Sequence, residues 1–408
     1  MERIVITGMG AITPIGNTMT EYWNNLMAGV SGVGRITRFD AADSPIQIAA
    51  EVRDFDPTAY MPKKLAGEMD LFMQYAYAAA EQALADSQLP IEPGRTGIVM
   101  GTALDGLTEI GLVQEALTAH GKRVGPRFLP KVLGNLAAAQ VAIAHQITGP
   151  SMTVNTACSS GADAIILGAL LLKAGEADSV LVLGGESGIN PLMIGSLSKA
   201  MALSRRNDDP TGASRPFDLN RDGFVMGEGG GAVVLELESH ALARGAKIYA
   251  ELAGYANTSD AYHVTAPNPS GEGAAQCMAR AIAMAGLDKA EIGYINAHGT
   301  ATHAGDIAET NAIKRVFGGK ELAPPVSSTK GATGHLMGAG GITEALTCVL
   351  ALQNALLPPT LNLHTPDPAC DLDYVPNTPR HCPIRAAMSN AFGFGGQNSS
   401  LLLRAWQA

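Results

Sequence analysis

Apolar residues in this chain fall in short continuous blocks rather than in strict alternation. Ile4-Val5-Ile6-Thr7, Gly97 to Gly101, Ser179 to Gly184 and Gly231 to Glu236 each read as a strand closed by glycine or a polar residue. Ile248 to Tyr255 and Ile292 to Asn296 continue the series, and Ala386 to Phe392 with Ser399 to Arg404 read as a strand pair around a glycine-rich corner. Between them Leu71 to Asp86, Ala162 to Leu172, Gly271 to Ala285 and Gly341 to Leu352 carry helical spacing. Strands apolar on both faces, interleaved with helices, predict an α/β protein whose sheets are covered on both sides. The order starts again near residue 248, so two duplicated halves are expected, residues 1–247 and 248–408. Ser204 to Asp222, rich in Arg, Asn, Asp and Pro, reads as a surface loop between the halves or over a site.

Composition sharpens this picture. Of 408 residues 46% are apolar and 16% charged, which excludes intrinsic disorder. So low a charged fraction points to a large core or to surface lost in an oligomer. The net charge of −10 argues against non-specific nucleic-acid binding. No apolar run approaches the roughly 18 residues of a membrane span. The opening MERIVITGMG lacks the pattern of a secretory signal. Cys158, Cys277, Cys348, Cys370 and Cys382 are odd in number and lack CxxC spacing, so neither a disulfide framework nor a zinc site is expected. A reducing, cytoplasmic setting is the expectation.

Four segments carry chemistry. Val154-Asn155-Thr156-Ala157-Cys158-Ser159-Ser160-Gly161 leads a strand into an alanine-rich helix, which puts Cys158 at a helix N-terminus. Free amides and the helix dipole there favour a thiolate, the nucleophilic form. Cys277 and Cys348 lie among apolar helical residues and read as inert. Ile295-Asn296-Ala297-His298-Gly299-Thr300-Ala301-Thr302 sets a histidine just past a buried strand, at the end of an α/β sheet where ligands gather. Ser327-Ser328-Thr329-Lys330-Gly331-Ala332-Thr333-Gly334-His335 places Lys330 and His335 five apart in a Gly/Thr-rich loop, with a spacing that does not fit a P-loop. Asn390 to Asn398 alternates aromatic residues with glycine at a tight corner. One cysteine, two histidines and no metal spacing suggest acyl transfer through a thioester; the GxSxG elbow of a serine hydrolase is missing from these segments.

The motifs NTACSSGADA, INAHGTATHAGD, SSTKGATGHLMGAGG and SNAFGFGGQNSS, with ASRPFDLNRDGFVMGEGGG and KIYAEL, make the chain resemble the β-ketoacyl-acyl-carrier-protein synthases. It is most similar to the elongating type II condensing enzymes of fatty-acid synthesis, along essentially its full length. The resemblance implies a thiolase fold, with duplicated βαβαβ halves in five layers, and a dimer. It implies decarboxylative condensation of an acyl thioester on Cys158 with a malonyl-carrier, giving a 3-oxoacyl-carrier and CO₂. His298 and His335 match the pair that binds the malonyl thioester. Lys330 matches the lysine that supports them, through an acidic network holding Asp306 and Glu309. The amides of Cys158 and Phe394 match the oxyanion hole, and Phe394 the gating aromatic, with Phe392 and Gly393 at the same corner. Thr300 and Thr302 match the pair that holds the phosphopantetheine arm. Leu104 lies where relatives line the acyl tunnel, and Phe128 matches a residue contributed across the dimer.

The same resemblance implies no cofactor beyond the phosphopantetheine of the acyl carrier protein, and no metal. It implies the carrier as partner, with a homodimer expected and a heterodimer open. Relatives dock the acidic carrier on a basic patch; here Gly67, Glu68 and Met201 stand at positions often basic. A ketosynthase of a type II polyketide or polyene pathway with a dedicated carrier is the alternative. A non-catalytic chain-length subunit would not keep Cys158, His298 and His335, and a degradative thiolase would carry a second cysteine near Asn390.

Overall fold

The computed structural model describes residues 2–407. Among these, ten strands join in one mixed sheet. The first five are β1 (Ile4–Ile12), β2 (Thr96–Gly101), β3 (Ser151–Val154), β4 (Ser179–Glu186) and β5 (Gly229–Leu237). The second five are β6 (Ala250–Ser259), β7 (Ile292–Asn296), β8 (Val326–Ser327), β9 (Ala386–Gly393) and β10 (Gln397–Arg404). Their spatial order is β3-β2-β4-β5-β1-β6-β10-β9-β7-β8. Each half therefore repeats one topology. In the first, β2 runs parallel to β3 and β4, and β5 is antiparallel to both β4 and β1. In the second, β7 runs parallel to β8 and β9, and β10 is antiparallel to both β9 and β6. The halves join through β1 and β6, where Val5 faces Glu251 and Ile6 faces Ala250. The order of strands and helices in the sequence predicted this duplication, and the resemblance implied its thiolase-type form.

Helix α1 (Leu71–Ser87) covers the outer face of the first half-sheet. Helices α2 (Ser160–Lys173) and α5 (Met337–Asn354) lie together between the two half-sheets, and α3 (Glu272–Ala285) with α4 (His303–Phe317) covers the far side. Five layers result. Apolar side chains of α2 (Ile165, Ile166, Leu172) and α5 (Ile342, Leu346, Val349) build the central core, which explains why neither helix shows a polar face.

The two central helices touch at their N-termini through glycine. A β-carbon on Gly161 would sit 2.7 Å from the Gly338 carbonyl oxygen, and one on Gly341 would sit 2.5 Å from the Ala162 nitrogen. These glycines are thus contact residues between helices, and α5 starts at Met337, ahead of the expected Gly341. This crossing sets two helix N-termini, one after Cys158 and one after His335, side by side.

The Ser204 to Asp222 segment meets the expectation in part: Arg205, Asp208, Asp209, Thr211, Leu219, Asn220 and Asp222 are exposed, as in a surface loop, whereas Ala213 to Asp218 and Arg221 are buried. Phe217 stacks on Tyr374 at 3.9 Å, and Ser214 Oγ donates to the Lys330 carbonyl at 2.6 Å. Arg215 pairs with Asp218, and Arg221 with Asp306 and Asp367, so these three charges gave a false signal of solvent exposure.

Candidate active site

The turn between β3 and α2 carries Cys158. Ala157 takes a left-handed φ of 52°, which swings the chain sharply into the helix. The Ser160 hydroxyl accepts from the Thr156 amide at 2.9 Å and donates to the Ala157 carbonyl at 2.6 Å. Asp163, one turn into α2, accepts from Thr156 Oγ1 at 2.6 Å and Ser159 Oγ at 3.1 Å. Its other oxygen accepts from Asn257 Nδ2 at 2.8 Å and Ser399 Oγ at 2.6 Å. One carboxylate thereby ties the nucleophile turn to the second half of the molecule. The sequence reading missed Asp163, because an acid inside an alanine-rich helix gives no signal of which groups it bridges.

Cys158 is buried, and the Phe394 amide donates to its sulfur. The thiolate expected at the helix tip is not the resting state. Burial pushes the thiol up to about 12; Lys330 pulls it down, while Glu186 and Glu344 push it further up. Desolvation outweighs the helix terminus here. Cys277 and Cys348 are fully buried in the core, as read from their apolar neighbours, and all five cysteines are free.

The carboxyl end of β7 releases His298, and the loop after β8 releases Lys330 and His335. The two imidazole rings meet edge to face, centroids 5.3 Å apart. Phe224 lies edge-on to His335 at 5.3 Å, and Phe392 is tilted against His298 at 5.9 Å. His335 is fixed by backbone: its amide donates to the Val225 carbonyl at 2.8 Å, and its carbonyl accepts from the Gly227 amide at 2.9 Å. Burial holds both imidazoles well below their usual range, reinforced by the Lys330 charge. Both are therefore neutral, each with one N–H to donate and one nitrogen to accept. His298 Nδ1 and both ring nitrogens of His335 are buried without a protein partner. Such orphaned groups in a cavity await a ligand or a water.

The acidic network divides differently from the expectation. Lys330, 1% exposed, pairs its Nζ with Glu344 of α5 rather than with Asp306 or Glu309. Glu309 accepts the His298 amide at 2.9 Å and the Gly299 amide at 2.8 Å, so it holds the histidine loop directly. Asp306 accepts the amides of Phe217 (2.7 Å) and Ala301 (3.1 Å) and faces Arg221 at 3.3 Å. Asp306 acts on the loop from beneath, not on Lys330.

Cys158, His298, His335, Thr300, Thr302, Phe392, Gly393 and Phe394 line one cavity of about 290 Å³. Thr300 Oγ1 and Thr302 Oγ1 lie 3.1 Å apart on its wall. Glu309 also lines it, whereas Lys330, Asp306, Leu104 and Phe128 do not. Leu104 packs beside Cys158 on Gly188, inside the apolar cluster of Ile189, Met226 and Met337. Phe128 lies half-buried at the start of the short helix Phe128–Val132. Among the described residues no group of His, Cys, Asp and Glu has the arrangement of a metal site.

The beta-ketoacyl synthase N-terminal domain matches residues 1–241 and its C-terminal domain residues 249–364. The 3-oxoacyl-[acyl-carrier-protein] synthase 2 of Synechocystis sp. is 46% identical, covering 100% of this chain and 99% of its own length. The chain belongs to the β-ketoacyl synthase family. Two solved ketosynthase structures superpose on it over 100% of both chains. The ishigamide ketosynthase/chain length factor does so with a TM-score of 0.93 at 34% identity. AntDE:AntF, a type II polyketide acyl-carrier protein in complex with its ketosynthase bound to the hexaketide, does so with a TM-score of 0.90 at 33% identity.

For a β-ketoacyl synthase the sequence reading overlooked two further buried acids. Glu344 pairs Lys330, and Glu186 ends β4 with Oε1 accepting from the Ala103 amide and from Thr102 Oγ1. Glu186 Oε2 is buried without a partner. Both acids sit in otherwise apolar runs, and that isolation was the signal available.

Proposed function

We propose that the chain is a 3-oxoacyl-[acyl-carrier-protein] synthase of fatty-acid elongation. One observation carries the mechanism: two neutral imidazoles with orphaned nitrogens share a cavity with a cysteine sulfur that faces a backbone amide. In the first half-reaction Cys158 Sγ attacks the acyl thioester. The new S–C bond replaces the carrier's, the thiol proton passes by way of a neutral imidazole to the departing pantetheine sulfur, and the amides of Cys158 and Phe394 hold the oxyanion.

In the second, malonyl-carrier loses CO₂. The electron pair of the broken C–C bond forms an enolate, whose oxygen takes hydrogen bonds from the N–H groups of His298 and His335. The enolate carbon attacks the acyl-Cys158 carbonyl, the C–S bond to Cys158 breaks to release 3-oxoacyl-carrier, and the expelled thiolate takes one proton from solvent to regenerate the thiol. Burial, reinforced by the Lys330 charge, keeps both imidazoles unprotonated. Thr300 and Thr302 bond the amides of the phosphopantetheine arm, which the carrier brings; the chain itself contributes no cofactor.

A homodimer fits the surface. β3 is an edge strand with exposed Met152, and Ile110, Leu112, Leu117, Leu129 and Leu133 are exposed nearby in sequence, around Phe128. Such an edge and face call for a second copy. No helix among the described residues is long and apolar enough to cross a membrane, and five free cysteines support a reducing, cytoplasmic setting. The structural likeness to polyketide ketosynthases supports a second reading, a polyketide or polyene ketosynthase with a dedicated carrier.

The deciding experiment supplies acyl-carriers of varied chain length and radiolabelled malonyl-carrier, and follows CO₂ and product by mass spectrometry. Fatty-acid elongation requires 3-oxoacyl-carrier formation with one CO₂ per turnover. His298→Ala should keep the acyl adduct on Cys158 but lose CO₂ release. Normal CO₂ release from that variant would remove the role of His298.

A further inference from the structure

The two amides that would hold the acylation oxyanion belong to pieces of chain far apart in sequence. One is the amide of Cys158 itself, on the turn between β3 and α2; the other is that of Phe394, at the corner between β9 and β10. Two donors hold one oxygen only while the turn and the corner keep a fixed relation. At the tip of the corner that relation is set by contact, since Gly393 lies against the Thr156 carbonyl and the Cys158 amide. Contact limits how near the two pieces can come, not how far they can part.

Asp163 supplies the missing tie. Its Oδ2 accepts from Thr156 Oγ1 at 2.6 Å and Ser159 Oγ at 3.1 Å, residues that flank Cys158 within the turn. Its Oδ1 accepts from Ser399 Oγ at 2.6 Å and Asn257 Nδ2 at 2.8 Å. Ser399 lies on β10 opposite Ala391 of β9, on the two strands that carry the corner, and Asn257 faces Ser399 from β6. One carboxylate oxygen therefore serves the turn and the other the base of the corner. Asp163, Ser159 and Ser399 are all buried, so solvent does not compete for these bonds. Asp163 also stands in the first turn of α2, where the helix terminus favours a carboxylate.

We infer that Asp163 is a positioning residue for acyl transfer: it pins the turn of Cys158 to the strands that carry Phe394 and so fixes the spacing of the two oxyanion-binding amides. The role rests on the proposed thioester chemistry, in which those amides hold the charge formed at the acyl carbonyl. His298 and His335, which hold the enolate oxygen, come from the loops after β7 and β8 and take no hydrogen bond from Asp163. The pin therefore serves the steps at the acyl carbonyl and not the loss of CO₂.

The test measures single-turnover acylation of Cys158 by hexanoyl-N-acetylcysteamine, and CO₂ release from malonyl-carrier after Cys158 is capped with iodoacetamide. Asp163→Asn turns an NH₂ group toward one of the two donor pairs and should slow acylation at saturating thioester by about a hundredfold. The half-saturating concentration should change by less than about threefold, because the loss falls on the transition state. Ser399→Ala, which spares the carboxylate and its bonds to the turn, should slow acylation by about tenfold. The double variant should be about as slow as Asp163→Asn alone, since both changes break one tie. CO₂ release should stay within about threefold of the parent in all three. Acylation at the parent rate, additive losses in the double variant, or an equal loss of CO₂ release overturns the pin while leaving the chemistry intact. If the parent itself is not acylated on Cys158, the proposed function falls, and the pin with it.

Discussion

Gly393 lies so close to the turn of Cys158 that a β-carbon on it would sit 3.2 Å from the Cys158 nitrogen and 2.6 Å from the Thr156 carbonyl oxygen. The corner that carries Phe394 thus rests directly on the nucleophile's backbone, and this contact aims the Phe394 amide at the sulfur. Both clashing groups are backbone, so neither can yield by a rotamer change. Gly393→Ala is expected to displace the corner and slow Cys158 acylation by roughly a hundredfold, because misplacing a catalytic donor by about an ångström costs that much. Acylation at the normal rate, followed by mass spectrometry, would show that the close approach serves packing alone.

Cys158 gives a pH prediction of definite sign. Its thiol is pushed up to about 12 by burial, so the protonated form dominates at neutral pH. Alkylation by iodoacetamide follows the thiolate and should rise about tenfold per pH unit through neutral and alkaline conditions, without a plateau near pH 8. Lys330→Met removes the nearby cation that pulls the thiol down and should slow alkylation further. A plateau at neutral pH, with the label on Cys158, would mean that a thiolate already rests at the helix tip.

Much of this site was legible because the small residues around Cys158, His298 and His335 mark sharp turns and close approaches, which are local. What stayed hidden is long-range pairing. The resemblance set Lys330 behind the two histidines in a network with Asp306 and Glu309, yet its ion-pair partner is Glu344, far along the chain on α5. The alternation of strands and helices in each half was legible from periodicity, but no sequence pattern tells that Asp163 would bond Asn257 and Ser399 of the other half. Arg221 in the Ser204 to Asp222 stretch misled for the same reason: its partners Asp306 and Asp367 lie far along the chain.

Glu186 offers a stability test. Burial pushes its carboxyl from 4.5 up to about 8, with Asp105 adding to the rise and the Ala103 amide opposing it. Below pH 4.5 the folded and unfolded chains both hold the proton, and the group has no effect. Between 4.5 and about 8 the folded chain keeps a proton that the unfolded chain has released, so stability falls as pH rises through that window. Glu186→Gln keeps an acceptor for Ala103 and Thr102 but cannot ionise. Its thermal midpoint should coincide with that of the parent near pH 4.5 and exceed it by several degrees at pH 8. Parallel midpoint curves across this range would mean that Glu186 does not carry the buried proton.

Arg221 binds the buried strap to the histidine loop. Its side chain is inaccessible; Nη1 donates to Asp367 at 2.7 Å and to the Asp218 carbonyl at 2.8 Å, and Nη2 to the His303 carbonyl at 3.1 Å. Nε lies 3.3 Å from Asp306, which in turn holds the Ala301 amide between Thr300 and Thr302. Arg221→Met leaves two carboxylates without their cation and should cost about 3–5 kcal/mol, since removing one partner strands the other's buried charge. Adding Asp306→Asn removes one stranded charge while keeping a carbonyl oxygen for one of its two amide donors. The double variant should therefore recover about 1–2 kcal/mol relative to the sum of the single changes. Denaturant unfolding of the four proteins measures this coupling. Strict additivity would mean that Arg221 stabilises the strap through its carbonyl contacts and not through Asp306.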